Sequence, residues 1–381
     1  MLRRPFIAVV AALLGLTAHQ ALAAKPGPPV VAKANRHLWP DPINTAATFD
    51  RASRAALRVY AGALSEMRAM SDADLRETLH VEHVDRASVD QWLNKTVAAT
   101  QRNYQLAARD CAPVSNDWTC TPDSEIPEEL QPWKADTEQF SRAYLLEQLK
   151  LAAVFPRDNS EIDTFNDNEW NGERLPDRRF YLTFDDGPTA PQGNTDATVQ
   201  MLGDAHKSAV FFVLGSNFKV RKDKTSVQSL NTLYGQQCVA SHGWEHHSHA
   251  RWEPWQDSVR LTQALIDGSI DKPNALKLFR PPYGQRRPDS EAFFRAQSLH
   301  VALWNIDSLD WNSHITAEEA ANRVIALMLI KRHGVLLFHD IHSKARIALP
   351  VIFQETGSAV EWGDCHQIGS SFTPGSAVRA P

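Results

Sequence analysis

The chain has 381 residues, of which 43% are hydrophobic, and its formal net charge is -5 at pH 7. This length allows one large domain with a small companion, or two domains of medium size. Because basic residues are not in excess, the composition argues against nucleic acid and anionic membranes as partners. An enzyme and a binding protein remain as the two functional classes.

The N-terminus is typical of a secretory signal peptide. Arg3 and Arg4 precede an apolar run over residues 6–16, and residues 21–23 (Ala-Leu-Ala) match the small-x-small cleavage pattern. The apolar run is too short to span a membrane, and no later segment is long and apolar enough to do so. We therefore expect residues 1–23 to be removed, and the mature protein to be secreted or periplasmic without a transmembrane segment.

The mature chain keeps an even number of cysteines, which in an exported protein indicates disulfide bonds. We predict that Cys111 pairs with Cys120 and closes a short loop. We also predict that Cys238 pairs with Cys365 and ties the end of the chain to its body.

A mostly α-helical N-terminal region is predicted over residues 24–175, after a flexible start rich in proline and alanine. Apolar residues recur at helical spacing over 49–67. A second helix is predicted to begin at a capping box formed by Ser88 and Gln91, and a third covers 140–154. This region could extend a substrate cleft, bind a partner or only cover the rest of the fold.

The pattern changes after a polar segment at 156–177, which is predicted to be a linker or long loop. Over residues 176–365, short apolar runs alternate with helical patterns, which indicates a parallel sheet, either open or closed into a barrel. The predicted strands are 180–184, 209–214, 238–241, 277–280, 301–306 and 335–338. The predicted helices are 196–204, 258–267, 290–297 and 317–331, the last with Thr316 and Glu319 as a capping box. Residues 366–381 are predicted to be a C-terminal tail.

Reactive residues follow five of the six predicted strands, and in parallel barrels functional side chains gather at these carboxyl ends. In chain order they are Asp185 and Asp186, His242 and His246, Arg280 with Tyr283, Asp307 with Asp310 and Trp311, and His339 with Asp340.

The residue types at these strand ends suit hydrolysis assisted by a metal ion. Two neighbouring carboxylates in different surroundings can divide the tasks of metal ligand and base. Two histidines four residues apart lie on one face of a helical turn and can share a metal. An arginine can hold a carboxylate, and a histidine oriented by a carboxylate can act as a general acid. Each motif alone could be a structural turn, but five in chain order indicate one active site.

The order of the motifs resembles the polysaccharide deacetylases with a NodB-type domain, carbohydrate esterase family four, over about residues 179–350. The matching runs are Thr-Phe-Asp-Asp-Gly, His-x-x-x-His, Arg-Pro-Pro-Tyr-Gly, Asp-x-x-Asp-Trp and Leu-x-x-His-Asp. The resemblance implies an α/β fold, a distorted (β/α) barrel with fewer than eight strands that here follows the helical region. It also implies removal of N-acetyl groups from a polysaccharide of N-acetylated amino sugars, such as peptidoglycan, a chitin-like polymer or an exopolysaccharide, by attack of metal-bound water.

The resemblance implies a metal centre and a base. Asp186, His242 and His246 would bind a divalent metal, with Zn2+ expected and Co2+, Ni2+ or Mn2+ as alternatives. Asp185 would be the general base, and Arg280 would orient it.

It further implies an acid and a substrate pocket. The backbone amide of Tyr283 would stabilise the oxyanion, and His339 would be the general acid, oriented by Asp310. Trp311 and Leu336 would line the acetyl pocket.

Gly243 affects both the expected rigidity of the metal-binding loop and an alternative interpretation as a protease. The family often has Ser or Thr directly after the first histidine, so glycine here puts the rigidity of the loop in question. The run from His242 to His246 also fits the H-x-x-E-H motif of inverted zincin proteases, with Glu245 as base. That motif requires a regular helix, which Gly243 and the preceding strand argue against.

Two other functions stay open at this point. The same site could hydrolyse O-acetyl esters of a polysaccharide such as xylan. A non-catalytic glycan-binding protein on this fold is also conceivable, because a fold does not determine a function.

Overall fold

The computed structural model describes residues 31–109, 126–154 and 164–372. The predicted signal peptide at 1–23 and the predicted Cys111–Cys120 pair lie outside these residues. Within them, no helix combines the length and the apolar character that crossing a membrane requires.

The N-terminal region is helical, as predicted. Its helices are α1 Ala46–Ala69, α2 Asp72–Leu79, α3 Arg86–Ala107 and α4 Gln131–Val154. The predicted capping box at the start of α3 is wrong, because the side chain of Asp85 accepts a hydrogen bond from the backbone N–H of Ser88. Ser88 therefore lies inside the first turn. The short helix α2 was not predicted, since it buries only Leu75 and Leu79 and shows little periodicity.

Residues 164–372 form one parallel sheet with helices around it. The strands are β1 Glu169–Trp170, β2 Arg179–Asp185, β3 Ala209–Val213, β4 Cys238–Ser241, β5 Ala275–Phe279, β6 His300–Ala302, β7 Ile306–Asp307, β8 Gly334–His339 and β9 Glu361–Trp362. The helices are α5 Asn194–Asp204, α6 Gly215–Lys224, α7 Val227–Tyr234, α8 Trp255–Asp267, α9 Glu291–Ala296, α10 Ala317–Lys331 and α11 Lys344–Thr356. The predicted capping box of α10, Thr316 with Glu319, is present.

The strand order is β1-β6-β5-β4-β3-β2-β8-β7, and β9 pairs with β2. The predicted strand at 301–306 is divided into β6 and β7, which lie near opposite ends of this order. Only residues 303–305 connect them, and such a link reaches at most about 14 Å. In a flat sheet, six strand spacings would separate them by about 29 Å. The sheet must therefore curl into a distorted barrel, which confirms the predicted fold class.

The sheet contains more strands than the resemblance implied. Eight strands lie along the path where fewer than eight were expected. Two of them, β1 and β7, have only two residues each, as does β9 beside the path, and such short strands leave no pattern in the sequence. β1 lies inside the segment 156–177 that was predicted to be a linker. Its Trp170 is buried and pairs with Ala302. The barrel thus begins before the predicted boundary at residue 175.

The predicted disulfide between Cys238 and Cys365 is present, with 5.9 Å between the two Cα atoms. Cys238 begins β4, and Cys365 begins the 3-10 segment Cys365–Phe372 that follows β9. The bond thus ties the C-terminal segment to the barrel.

The N-terminal helices cover the outer face of α10. Residues 320–325 of α10 are all buried, and six consecutive residues cover every face of a helix. The Ser53 hydroxyl donates a 2.6 Å hydrogen bond to the Leu329 carbonyl, and Asn103 donates to the carbonyl of Ile330 at 3.0 Å. A helix that is buried on all sides needs such a cover. We infer that the helical region encloses the barrel at this side.

A buried ion pair fastens this cover to the barrel. The guanidinium of Arg332 is fully buried and donates to Asp50 at 2.7 Å and to Asp177 at 2.8 Å. Asp50 belongs to α1, whereas Arg332 ends α10. Removing one partner of a buried pair leaves a charge without compensation.

We expect Asp50→Ala to lower the free energy of unfolding by about 3 kcal/mol, because Arg332 stays buried with only Asp177 beside it. The matched control is Glu66→Ala, which breaks an exposed pair with Arg142 and should cost no more than about 1 kcal/mol. Chemical denaturation of both variants measures the difference. Equal losses would contradict the structural role of the buried pair.

Candidate active site

Three side chains from two strand ends converge at the carboxyl edge of the sheet. The Nε2 atoms of His242 and His246 each lie 3.5 Å from Oδ1 of Asp186. One potential ligand atom from each residue lies within 4.8 Å of the other two. Residues 242–246 form an irregular loop and not the helical turn that was predicted, since Gly243 has a φ of +82°. The loop nevertheless brings both imidazoles to the same carboxylate.

The chemistry of these donors fits a divalent cation. Oδ1 of Asp186 is buried and accepts no hydrogen bond from the described residues. Nδ1 of His242 lies 2.8 Å from the carbonyl of Arg280, so Nδ1 carries the proton and Nε2 presents its lone pair to the cluster. Burial lowers the pKa of His246 to about 4, which keeps this ring neutral at pH 7. Two imidazoles and one carboxylate are a common zinc ligand set that leaves a coordination position open.

The charge of Asp186 is also suited to a cation. Burial alone would raise the pKa of Asp186, but its interactions with His242, His339 and His246 lower that pKa well below the ordinary value. The carboxylate is therefore ionised over the whole working range of pH.

The neighbouring carboxylate, Asp185, is held by a buried arginine. Nη1 of Arg280 donates to Oδ1 of Asp185 at 2.9 Å and to the Thr183 hydroxyl at 2.8 Å, and two further donors contact backbone carbonyls at 3.1 Å. The other oxygen of Asp185 lies 3.7 Å from Nε2 of His242. The structure thus joins Asp185 and Arg280 as predicted, with one carboxylate oxygen fixed and the other facing the cluster.

On the adjacent strand, His339 is oriented by Asp310. Nδ1 of His339 lies 2.7 Å from Oδ1 of Asp310, and the backbone N–H of His339 donates to Oδ2 at 3.0 Å. Burial alone would lower the pKa of His339, but the charge of Asp310 and, beyond it, those of Asp185 and Asp186 raise it to about 10. The ring is therefore protonated at neutral pH and can donate from Nε2.

The loop with Tyr283 borders the same edge. Tyr283 has a left-handed backbone with φ of 58°, and its half-exposed ring lies 4.4 Å, centroid to centroid, from that of His246. Arg286 braces the loop, since it donates to the carbonyl of Gly284 at 3.2 Å and to Glu169 at 3.0 Å. Sequence reasoning missed this buried pair, because Glu169 lies in a segment interpreted as a linker.

One predicted pocket residue lies on the wrong face of its strand. Side chains alternate along β8, so Leu337 shares a face with His339, whereas Leu336 points outward into the cluster beneath the helices. The prediction that Leu336 lines the acetyl pocket therefore does not fit the structure, in which Leu337 is the leucine on the face of His339. Trp311 is 50% exposed near Asp310, where a ligand can reach it.

Asp340 supports the turn that carries Asp186, a role not predicted. It is buried and accepts hydrogen bonds from the backbone N–H of Gly187 at 3.0 Å and from the Thr195 hydroxyl at 2.6 Å. A Cβ at position 187 would lie 2.1 Å from an Asp340 oxygen, so glycine is required there. Burial raises the pKa of Asp340 to about 7.

The structure does not favour the protease interpretation. No regular helix spans residues 242–246. The side chain of Glu245 is 52% exposed and lies 3.2 Å from His247. Glu245 is thus placed as a surface residue.

Comparisons with known proteins agree with the motifs. A family model described as polysaccharide deacetylase matches residues 172–302. The chain is 32% identical over 218 residues to the peptidoglycan-N-acetylglucosamine deacetylase of Bacillus cereus, which covers 54% of this chain and 74% of that protein. It is 32% identical over 167 residues to chitin deacetylase 1 of Saccharomyces cerevisiae, covering 42% of this chain and 50% of the other. Among solved structures, the Bc1960 peptidoglycan N-acetylglucosamine deacetylase matches with a TM-score of 0.45 and 22% identity, over 51% of this chain and 90% of that one.

We expect Asp310→Asn to lower the pKa of His339 from about 10, because the carboxylate that opposes the effect of burial most strongly is then lost. Histidine NMR titration of protein freed of metal by a chelator measures this change. Asp364→Asn is the control, since Asp364 contacts His366 at 2.8 Å in another part of the fold. An unchanged titration of His339 in the Asp310 variant would contradict the proposed coupling.

Proposed function

This chain belongs to the polysaccharide deacetylase family, and we propose that it removes acetyl groups from a polymer of N-acetylated amino sugars with the help of a divalent metal. The convergence of Asp185, Asp186, His242, His246 and His339 at one edge of the barrel carries this proposal. The location of the mature protein outside the cytoplasm stays a prediction.

The proposed metal ligands are Asp186, His242 and His246. A divalent metal at this site, such as zinc, would polarise the acetyl carbonyl and make a water molecule more acidic. Asp185 accepts the proton of the attacking water through the oxygen that Arg280 leaves unbound.

The remaining groups act on the developing charges. The backbone N–H of Tyr283 donates to the oxyanion of the tetrahedral intermediate. His339 donates its Nε2 proton to the amide nitrogen as the C–N bond breaks, and Asp310 stabilises the charge on the ring. Acetate and a free amino sugar are the products.

Two exposed aromatic residues support a sugar polymer as substrate. Tyr283 is 57% exposed and Trp311 is 50% exposed, and their loops follow β5 and β7 at the same edge of the barrel. Exposed rings of this kind offer flat apolar faces to pyranose rings. Leu337 lies on the same face of β8 as His339, so it is the leucine of this strand that we propose for the acetyl pocket.

We expect Asp185→Ala to reduce acetate release by about 10²–10⁴-fold while the metal stays bound, because the base is lost and the ligands remain. His242→Ala should lose both metal and activity. The control is Glu245→Ala, which should keep most of the deacetylase activity. Acetate assays and elemental analysis of the purified variants test all three, and full activity in the Asp185 variant would overturn its assignment as base.

We expect acetate release to stop with a chelator and to return with Zn2+. Peptidoglycan, N-acetylglucosamine oligomers, poly-N-acetylglucosamine and acetylxylan are the substrates to compare. Equal amounts of acetate and free amine from one of the first three support N-deacetylation, whereas activity on acetylxylan alone supports the ester hydrolase. A protein that binds metal and glycan but releases no acetate would be a binding protein.

A further inference from the structure

We propose that His249 and Ser258 are positioning residues for the loop at 242–246 that carries both histidine ligands. The inference rests on the proposed metal site but concerns residues outside the ligand set. Both side chains are almost completely buried, His249 at 1% and Ser258 at 2% exposure.

A chain of hydrogen bonds connects the loop to these two side chains. The backbone N–H of Trp244 donates to the Ser258 hydroxyl at 2.6 Å, and that hydroxyl lies 3.0 Å from Nε2 of His249. Nδ1 of His249 lies 2.8 Å from the carbonyl of His247. Trp244 stands between the two ligands, so the chain restrains the centre of the loop.

The positions of the hydrogen atoms in this series of hydrogen bonds can be inferred from the groups that can only accept. A carbonyl oxygen can only accept, so Nδ1 of His249 carries the proton. Nε2 of the neutral ring then accepts, and the Ser258 hydroxyl donates to it while accepting from Trp244. Burial lowers the pKa of His249 to about 4, in agreement with a neutral ring. Both ring nitrogens of His249 and the Ser258 hydroxyl therefore take part in hydrogen bonds.

The pair also occupies the space beside Gly243. A Cβ at position 243 would lie 2.8 Å from Cε1 and Nε2 of His249 and 2.9 Å from the Ser258 hydroxyl oxygen. The φ of +82° at Gly243 is unfavourable for any residue with a side chain. A side chain at position 243 therefore cannot support the loop. Ser258 of α8 and His249, which precedes α8, support it instead.

Other groups hold the rest of the loop, among them the Ser241 hydroxyl, which accepts from the N–H of Gly243 at 3.2 Å. The carbonyls of Gly243 and Trp244 accept from the N–H groups of Gly215 and Ser216 at 2.8 and 3.0 Å. The Trp244 N–H is bound by a side chain, so its contribution can be tested.

Two substitutions of His249 separate its two hydrogen bonds. His249→Asn keeps a donor near the His247 carbonyl but is too short to reach Ser258. His249→Gln places an amide near the former Nε2 position. We expect His249→Asn and Ser258→Ala to weaken Zn2+ binding by about 10–100-fold, as for other residues that orient metal ligands. His249→Gln should stay near the wild-type affinity.

Competition with a chromogenic chelator measures Zn2+ affinity without any acetate assay. His333→Asn is the control, because His333 also contacts a backbone carbonyl, at 2.9 Å, far from the loop. Thermal unfolding in chelator should show similar metal-free stability for His249→Asn and His249→Gln. If the wild type binds no Zn2+, the proposed function fails; if it binds and His249→Asn and Ser258→Ala bind equally well, this inference fails. An equal loss in His249→Gln would also overturn it.

Discussion

The pairing of β2 with β8 is the constraint on which the site depends. In this parallel register, Asp185 lies opposite His339, so the proposed base and acid stand side by side on the inner face of the barrel. A shift of one residue in either strand would turn its functional side chain outward. The buried apolar residues that alternate along both strands, facing the helices or the barrel interior, therefore determine the catalytic geometry as well as the fold.

Each of the two proton-transfer groups has a partner of opposite charge. Arg280 stands beside Asp185, and Asp310 stands beside His339, at distances of 2.9 and 2.7 Å. Asp310 keeps the buried imidazole of His339 protonated at neutral pH, whereas Arg280 fixes one oxygen of Asp185 in place. Burying an arginine is unfavourable unless its donors are satisfied. Two backbone carbonyls and the Thr183 hydroxyl satisfy the remaining donors of Arg280, so the barrel itself holds the arginine that orients Asp185.

Much of the site could be predicted, because reactive residues directly follow strands whose apolar runs are visible in the sequence. Leu336 was misplaced by one residue, since the motif does not show which of two adjacent leucines faces inward, whereas the structure selects Leu337. The pair between Glu169 and Arg286 was missed, because Glu169 belongs to the two-residue strand β1 in a segment whose polar composition indicated a linker. The capping box at Ser88 failed for a local reason, since Asp85, three residues earlier, caps the helix instead and was not considered.

The covering of α10 has a consequence for how this protein can be divided. The B. cereus relative matches about half of this chain, whereas the N-terminal helices bury one side of α10, including Arg323, which pairs with Glu147 of α4. The catalytic portion is therefore not a free-standing module that could be moved between polypeptides unchanged. A gene fusion or truncation that separated the two parts would expose the buried apolar residues of α10 and leave Arg323 without Glu147. The evolutionary history of the helical region and that of this helix are accordingly linked.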